Sequence, residues 1–194
     1  LPFGSKEAQV VNPMRARIAE VIAAIEPLDE IEREHRDSTL EWICSGAPIF
    51  RTRKPDLPPK HLVSYFALID DQRGKILLVD HKLAGLWLPS GGHVEPDEDP
   101  RTTVVRELSE ELNLTARFMY EGPLFITVTR TLGDGPHTDV SLWYSLRGDS
   151  SRAIEFDRSE FHGVQWFSFD EIPFKRSDPQ MRRFIAKLRA ALPP

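Results

Sequence analysis

Gly91-Gly92-His93-Val94-Glu95-Pro96-Asp97-Glu98-Asp99-Pro100-Arg101-Thr102-Thr103-Val104-Val105-Arg106-Glu107-Leu108-Ser109-Glu110-Glu111-Leu112-Asn113-Leu114 is the stretch on which the reading of this chain turns. A glycine turn leads into an acidic loop, and the loop feeds a helix. Asp99 suits the N-cap of that helix and Pro100 its first position, where a missing N–H costs nothing. At about 100° per residue, Glu107, Glu110 and Glu111 fall within a third of the circumference. Val104, Val105, Leu108 and Leu112 gather on the other side. One face is expected to meet a core and the other to collect cations.

Before this stretch the apolar spacing changes twice. Pro13 opens a helix with Met14, Ile18, Val21, Ile22 and Ile25 on one stripe, and Pro27 stops it. A second helix is predicted from Leu28 to Cys44, with Leu28, Ile31, His35 and Trp42 on one side. Ser38 and Glu41 have capping-box spacing that would restart it. Cys44 is expected to be a small buried side chain near the helix end. Lys54-Pro55-Asp56-Leu57-Pro58-Pro59-Lys60 denies both helix and central strand and reads as a linker. Strands are predicted at His61–Ile69, Ile76–Val79 and Leu86–Leu88 and, beyond the acidic helix, at Leu124–Thr129, Val140–Leu146 and Val164–Phe167. A last helix after Asp178-Pro179 carries Met181, Phe184, Ile185, Leu188 and Leu192 on one stripe. Strands interleaved with helices after a helical prefix predict an α/β fold with a mixed sheet between helices. The chain divides into a helical extension (1–53), a linker (54–60) and a main domain (61–194). The extension is expected to pack on that domain or on a second copy, making a homodimer.

With 194 residues and 40% hydrophobic content the chain has ample material for one core. A net charge of −5 argues against electrostatic capture of nucleic acid or an anionic membrane. The single cysteine allows no internal disulfide, and no apolar run approaches the ~20 residues of a membrane span. A cytoplasmic protein is expected, and its substrate is expected to be small.

Carboxylates clustered on one helix face repel one another, which favours the uptake of hard divalent cations. The complete spacing sharpens this. Gly92, Glu98, Arg106, Glu107, Leu108, Glu110, Glu111 and Leu114 resemble the Nudix box: glycine, five residues, Glu, seven residues, Arg-Glu, an aliphatic residue, any residue, Glu-Glu, any residue, glycine, an aliphatic residue. Chance alone would align its six Gly, Glu and Arg positions in roughly one chain of this length in 10⁵. Asn113 stands where the pattern has its last glycine, and Asn tolerates the left-handed conformation of a helix exit.

The resemblance implies the Nudix α/β/α sandwich and hydrolysis of a nucleoside diphosphate linked to another group, with two or three Mg²⁺ or Mn²⁺ ions. It assigns metal binding to Glu107, Glu110 and Glu111, with the Gly92 carbonyl completing the shell. It makes Glu98 the support of the loop, makes Arg106 its partner, and sets His93, Val94 and Glu95 beside the scissile phosphates. Glu107, Glu110 or a later loop carboxylate would be the general base. Glu160 is favoured for that loop group, with Asp157 and Glu155 as rivals. The run from Leu86 to Glu95 is also similar to a bacterial subgroup with no agreed substrate.

Each residue has a plainer reading. An acidic helix face is usually solvated surface, and Arg106 with Glu110 forms an ordinary i,i+4 pair, but neither explains Glu98. His35, His61, His81, His137 and His162 show no ligand spacing and are expected at the surface or in packing. Trp87, Phe125, Tyr144 and Trp166 are expected mostly in the core, with one as a base-stacking platform. A nucleotide sensor without turnover is the alternative function, disfavoured by the full carboxylate set.

Overall fold

The computed structural model describes residues 12–53, 57–131 and 136–193. Helices α1 (Pro13–Ala23) and α2 (Glu30–Cys44) precede strands β1 (Lys60–Asp70), β2 (Lys75–His81), β3 (Leu86–Leu88) and β4 (Ser90–His93). Helix α3 (Pro100–Leu112), strands β5 (Phe125–Arg130), β6 (Thr138–Arg147) and β7 (Phe161–Ser168), and helix α4 (Met181–Ala191) complete the chain. The mixed sheet runs β3-β2-β1-β6-β5, with β4 added to β1 and β7 to β2. Among the described strands, β1 and β6 pair in parallel, from Lys60↔Thr138 to Ile69↔Arg147, and the other strand pairs are antiparallel. A parallel pair needs a long crossover, and α3 lies within it.

Period-two alternation builds two cores on the two faces of the sheet. Phe66, Leu68, Leu77, Val79, Leu142 and Tyr144 face the layer that holds Val104, Leu108 and Leu112 of α3 and Ile18 and Ile22 of α1. Ala67, Ile69, Ile76, Leu78 and Trp143 face Met181, Phe184, Ile185 and Leu188 of α4. This is the α/β/α sandwich with helices before the sheet. Ile25, Ile43 and Ile49 belong to the first core too, so the extension packs on the main domain.

Several expectations change in detail. Helix α1 stops at Ala23, and Ile25 is buried beyond its end. Helix α2 starts at Glu30, capped by Asp29, and passes Ser38 without a restart, because the Ser38 hydroxyl donates to the His35 carbonyl of its own helix. Its buried face is Glu32, Thr39 and Ile43, whereas Leu28 and Ile31 are exposed. Apolar spacing misplaced that face because two of its three buried side chains are polar and hydrogen-bonded. Cys44, next to buried Ile43, turns to solvent and is exposed, and Val105 is exposed beside buried Val104. The glycine turn expected at Gly91-Gly92 is instead part of strand β4, paired antiparallel with β1 through Val63↔His93 and Ser64↔Gly92. Residues 54–56 of the proline-rich linker lie outside the described residues. Phe125 and Tyr144 are core, and Trp87 packs edge-on against Phe167, so packing accounts for these aromatics.

Candidate active site

The pairing of β4 with β1 sets the floor of a cleft of about 660 Å³ lined by Gly91–Glu95, Arg106, Glu107, Glu111 and Glu160. Contact constrains both glycines, Gly91 through backbone and Gly92 through the Glu107 side chain. At Gly91, with φ of 149°, a Cβ would overlap the Ser64 carbonyl of β1. At Gly92 a Cβ would overlap the Glu107 carboxylate, so the missing side chain is what lets that carboxylate rest against β4.

Helix α3 aims Glu107 and Glu111 into the cleft. Asp99 accepts from the Arg101 N–H at 2.8 Å and starts the helix, with Pro100 at its first turn. Asn113 ends it in the left-handed conformation at φ 50°, as its place in the pattern predicts. Glu111 is buried, 6% exposed, and accepts a hydrogen bond from the Ser90 hydroxyl of β4. Burial, reinforced by the nearby charges of Glu107 and Glu160, pushes its carboxyl up to about 8, against the pull of the Ser90 bond. Glu107 is also raised, by burial and by Glu110 and Glu160, although Arg106 opposes the shift. Glu110 remains largely solvent-facing, 3.7 Å from Arg106.

Arg106 ties helix to loop. Its Nε and Nη2 donate to Glu98 at 3.1 and 3.0 Å, its Nη1 to Glu107 at 2.5 Å, and its Nη2 also to the His93 carbonyl at 3.3 Å. Glu98 further accepts from the Thr103 hydroxyl and the Glu95 N–H. Burial opposes its ionisation, but the Arg106 and Thr103 bonds prevail and hold it below the usual carboxylate range. Two coplanar oxygens meeting the guanidinium fork make this a rigid brace.

Of the three loop carboxylates, Glu160 lines the cleft. Glu155 instead accepts from Asn113 Nδ2 at 2.9 Å and borders a hollow at the far end of α3. Asp157 is spent on the Ser159 N–H at 2.7 Å. Glu95 lies at the exposed rim and His93 on the floor. A second hollow of about 670 Å³ shares Gly91–His93 and Glu111 with the first and adds apolar Tyr65, Leu86, Leu88 and Phe161. Sequence reasoning missed one feature. His61, His93, His137 and Asp139 converge where β1, β4 and β6 meet. Sequence spacing gives His61 and His137 no ligand pattern, because their proximity comes from strand pairing.

Residues 60–188 match the model of the NUDIX domain, so the chain belongs to the Nudix family and is a hydrolase acting on phosphoanhydride bonds. It is 28% identical over 136 residues to a MutT-like protein of Streptomyces ambofaciens, covering 70% of this chain and 82% of that one. A CTP pyrophosphohydrolase of Escherichia coli is 46% identical over 59 residues, 28% of this chain and 44% of that protein. A Nudix hydrolase structure from Clostridium perfringens superposes with a TM-score of 0.53 at 18% identity, covering 68% of this chain and 98% of that one. At that identity the likeness speaks for the fold. Among the described residues no helix is long and apolar enough to cross a membrane.

Proposed function

We propose that the cleft is the catalytic centre of a pyrophosphohydrolase dependent on Mg²⁺ or Mn²⁺, cleaving the diphosphate of a nucleotide-derived molecule in the cytoplasm. One observation carries this reading: Glu107 and Glu111 are held together in partial burial, facing Glu160, at a cost that Arg106 and Ser90 offset only in part and that a bound cation or proton relieves. An all-oxygen donor set of carboxylates, with the Gly92 carbonyl beside it, fits hard divalent ions that retain water. When bound, such ions neutralise the phosphate oxygens and make water more acidic.

The chain's own groups divide the remaining work. Glu107, Glu110 and Glu111 hold the ions. Arg106 and Glu98 fix the angle between α3 and the loop, so the acids do not reorient when charge changes. Glu95 and the floor at His93 border the phosphates. Glu107 is engaged by Arg106 and Glu111 by Ser90, which leaves Glu160, across the cleft, as the best placed group to take the proton of the attacking water. The remainder of the substrate extends into the neighbouring hollow, whose apolar walls suit a base or sugar face. The E. coli relative is named for CTP, but its match covers only 59 residues and supports the chemistry rather than the substrate.

A panel of nucleoside triphosphates, nucleotide sugars and dinucleotides, assayed with Mg²⁺ and with Mn²⁺, tests this. We expect cation-dependent release of two phosphorylated products from at least one compound. We expect Glu160→Gln to lower kcat by about 10²–10⁴-fold with cation affinity retained, and Glu107→Gln to lose the affinity itself. Absence of turnover across the panel in the unaltered protein would refute the hydrolase site.

A further inference from the structure

The histidine cluster borders the second hollow, where His93, His137 and Asp139 share the wall with Glu111, and its chemistry differs from that of the carboxylates. His61, on β1, is fully buried, and His93 and Asp139 reach it from β4 and β6, with His137 one residue before β6. The His61 Nδ1 lies 2.9 Å from the Pro58 carbonyl. A carbonyl only accepts, so Nδ1 carries the proton and Nε2 points inward. That buried Nε2 makes no hydrogen bond, although Asp139 Oδ1 lies 3.2 Å away. His137 Nε2 lies 3.2 Å from the same oxygen, while its Nδ1 faces the Thr131 hydroxyl at 3.1 Å. The four inward atoms lie within 4.8 Å of one another.

We propose that His61, His93, His137 and Asp139 form a binding site for one divalent transition ion of the zinc class, separate from the carboxylate cleft. Imidazole nitrogens with one carboxylate select such ions over Mg²⁺, which prefers oxygen and water. A tetrahedral ion with arms of ~2.1 Å has edges of about 3.4 Å. The two 3.2 Å separations already approach that edge, and the wider pairs close by small side-chain rotations. His61 also has the outer hydrogen bond from its other ring nitrogen to a backbone carbonyl that orients a ligating imidazole. The ion would pin β1, β4 and β6 at one point. It would thereby fix the His93 backbone, whose carbonyl receives Arg106 Nη2. The site stands whether or not the acidic cleft hydrolyses a diphosphate.

The test is metal binding by the full chain, stripped by chelator and returned to excess Mg²⁺. Zn²⁺ is titrated with metal analysis, and Co²⁺ is followed by visible absorption, which is intense for a tetrahedral nitrogen-rich ion and weak for an octahedral oxygen one. We expect one equivalent of Zn²⁺ per chain, a tetrahedral Co²⁺ spectrum and a raised Tm. His137→Gln and Asp139→Asn, each checked for folding by circular dichroism, should weaken Zn²⁺ by about a hundredfold or more, and Glu107→Gln should leave it in place. An unaltered protein that binds no Zn²⁺ overturns the proposal. So does Zn²⁺ that survives both His137→Gln and Asp139→Asn but is lost in Glu107→Gln, since that ion sits among the carboxylates.

Discussion

Gly92 shows how a single absent methyl group sets a site. Its Cα faces the Glu107 carboxylate so closely that Gly92→Ala must push either β4 or the carboxylate away. We expect that variant to fold with little change in Tm and to lose about 10²-fold in kcat/KM, the scale of a 1 Å misplacement. Steady-state kinetics beside a melting curve separates the two. The importance of Gly92 was legible in the sequence through the resemblance to the Nudix box, whereas its reason, contact with Glu107 from a strand rather than a turn, was not. The histidine cluster was not legible, since residues 61, 93 and 137 meet only through strand register. Asp70 was equally silent. It is nearly buried and accepts from the Ser150 N–H and hydroxyl at 2.8 and 2.6 Å and from Arg73 at 3.0 Å. Burial opposes its charge, but the Ser150 and Arg73 bonds prevail and lower its carboxyl to about 2. Its folded value lies below the unfolded one, so its stabilisation is complete above about pH 4 and disappears as pH falls through about 2. Asp70→Asn should cost roughly 2 kcal/mol at pH 7 and flatten the acid side of a stability–pH curve measured by denaturant unfolding.

Between elements, one buried acid organises three neighbours. Glu32 of α2 is fully buried and accepts from the Leu28 N–H at 2.6 Å, from the Ile126 N–H of β5 at 3.3 Å and from Lys187 Nζ of α4 at 2.6 Å. Strand β5 ends the sheet path, so its outward N–H groups need partners, and α2 supplies one. Burial lowers the Lys187 ammonium from its ordinary range, with Glu32 opposing that shift. Removing only one member of such a pair strands the other charge. Lys187→Met alone should therefore cost about 3–5 kcal/mol. Adding Glu32→Gln, which removes the stranded charge and keeps an acceptor for one of the two N–H groups, should restore part of that in denaturant midpoints. Equal loss in single and double variants would show that packing, rather than charge, holds α2 to α4. This also explains why the buried face of α2 escaped the sequence: an apolar stripe was sought where the contact is made by Glu32, Thr39 and Ile43.

At the scale of the molecule, the positions along the chain of six of the seven strands and of the acidic helix followed from periodicity, because alternation and the 3.6-residue repeat are local properties, whereas the order of the strands in the sheet did not. The placement of the helical extension did not, since an apolar stripe says that something covers it without saying what. The structure lays that stripe on the sheet layer shared with α3, with Ile18, Ile22 and Ile25 at 0, 0 and 3% exposure. At ~2 kcal/mol for each fully buried isoleucine, these three contribute roughly 6 kcal/mol. Net stabilities of domains are typically about 5–15 kcal/mol, so the extension supplies a share comparable to the whole margin. Arg15 adds directed bonds to the Ile43 and Ala47 carbonyls at 2.7 and 2.6 Å, which lock α1 to the end of α2. We propose that residues 12–53 are an integral part of the hydrolase core, even though the family match begins at residue 60. Deleting residues 1–46 should then abolish a cooperative melt, raise binding of an apolar dye and remove turnover, although every carboxylate of the cleft is retained. A truncated chain that melts cooperatively near the Tm of the full chain, and sediments as a soluble monomer, would show that the sheet with α3 and α4 suffices.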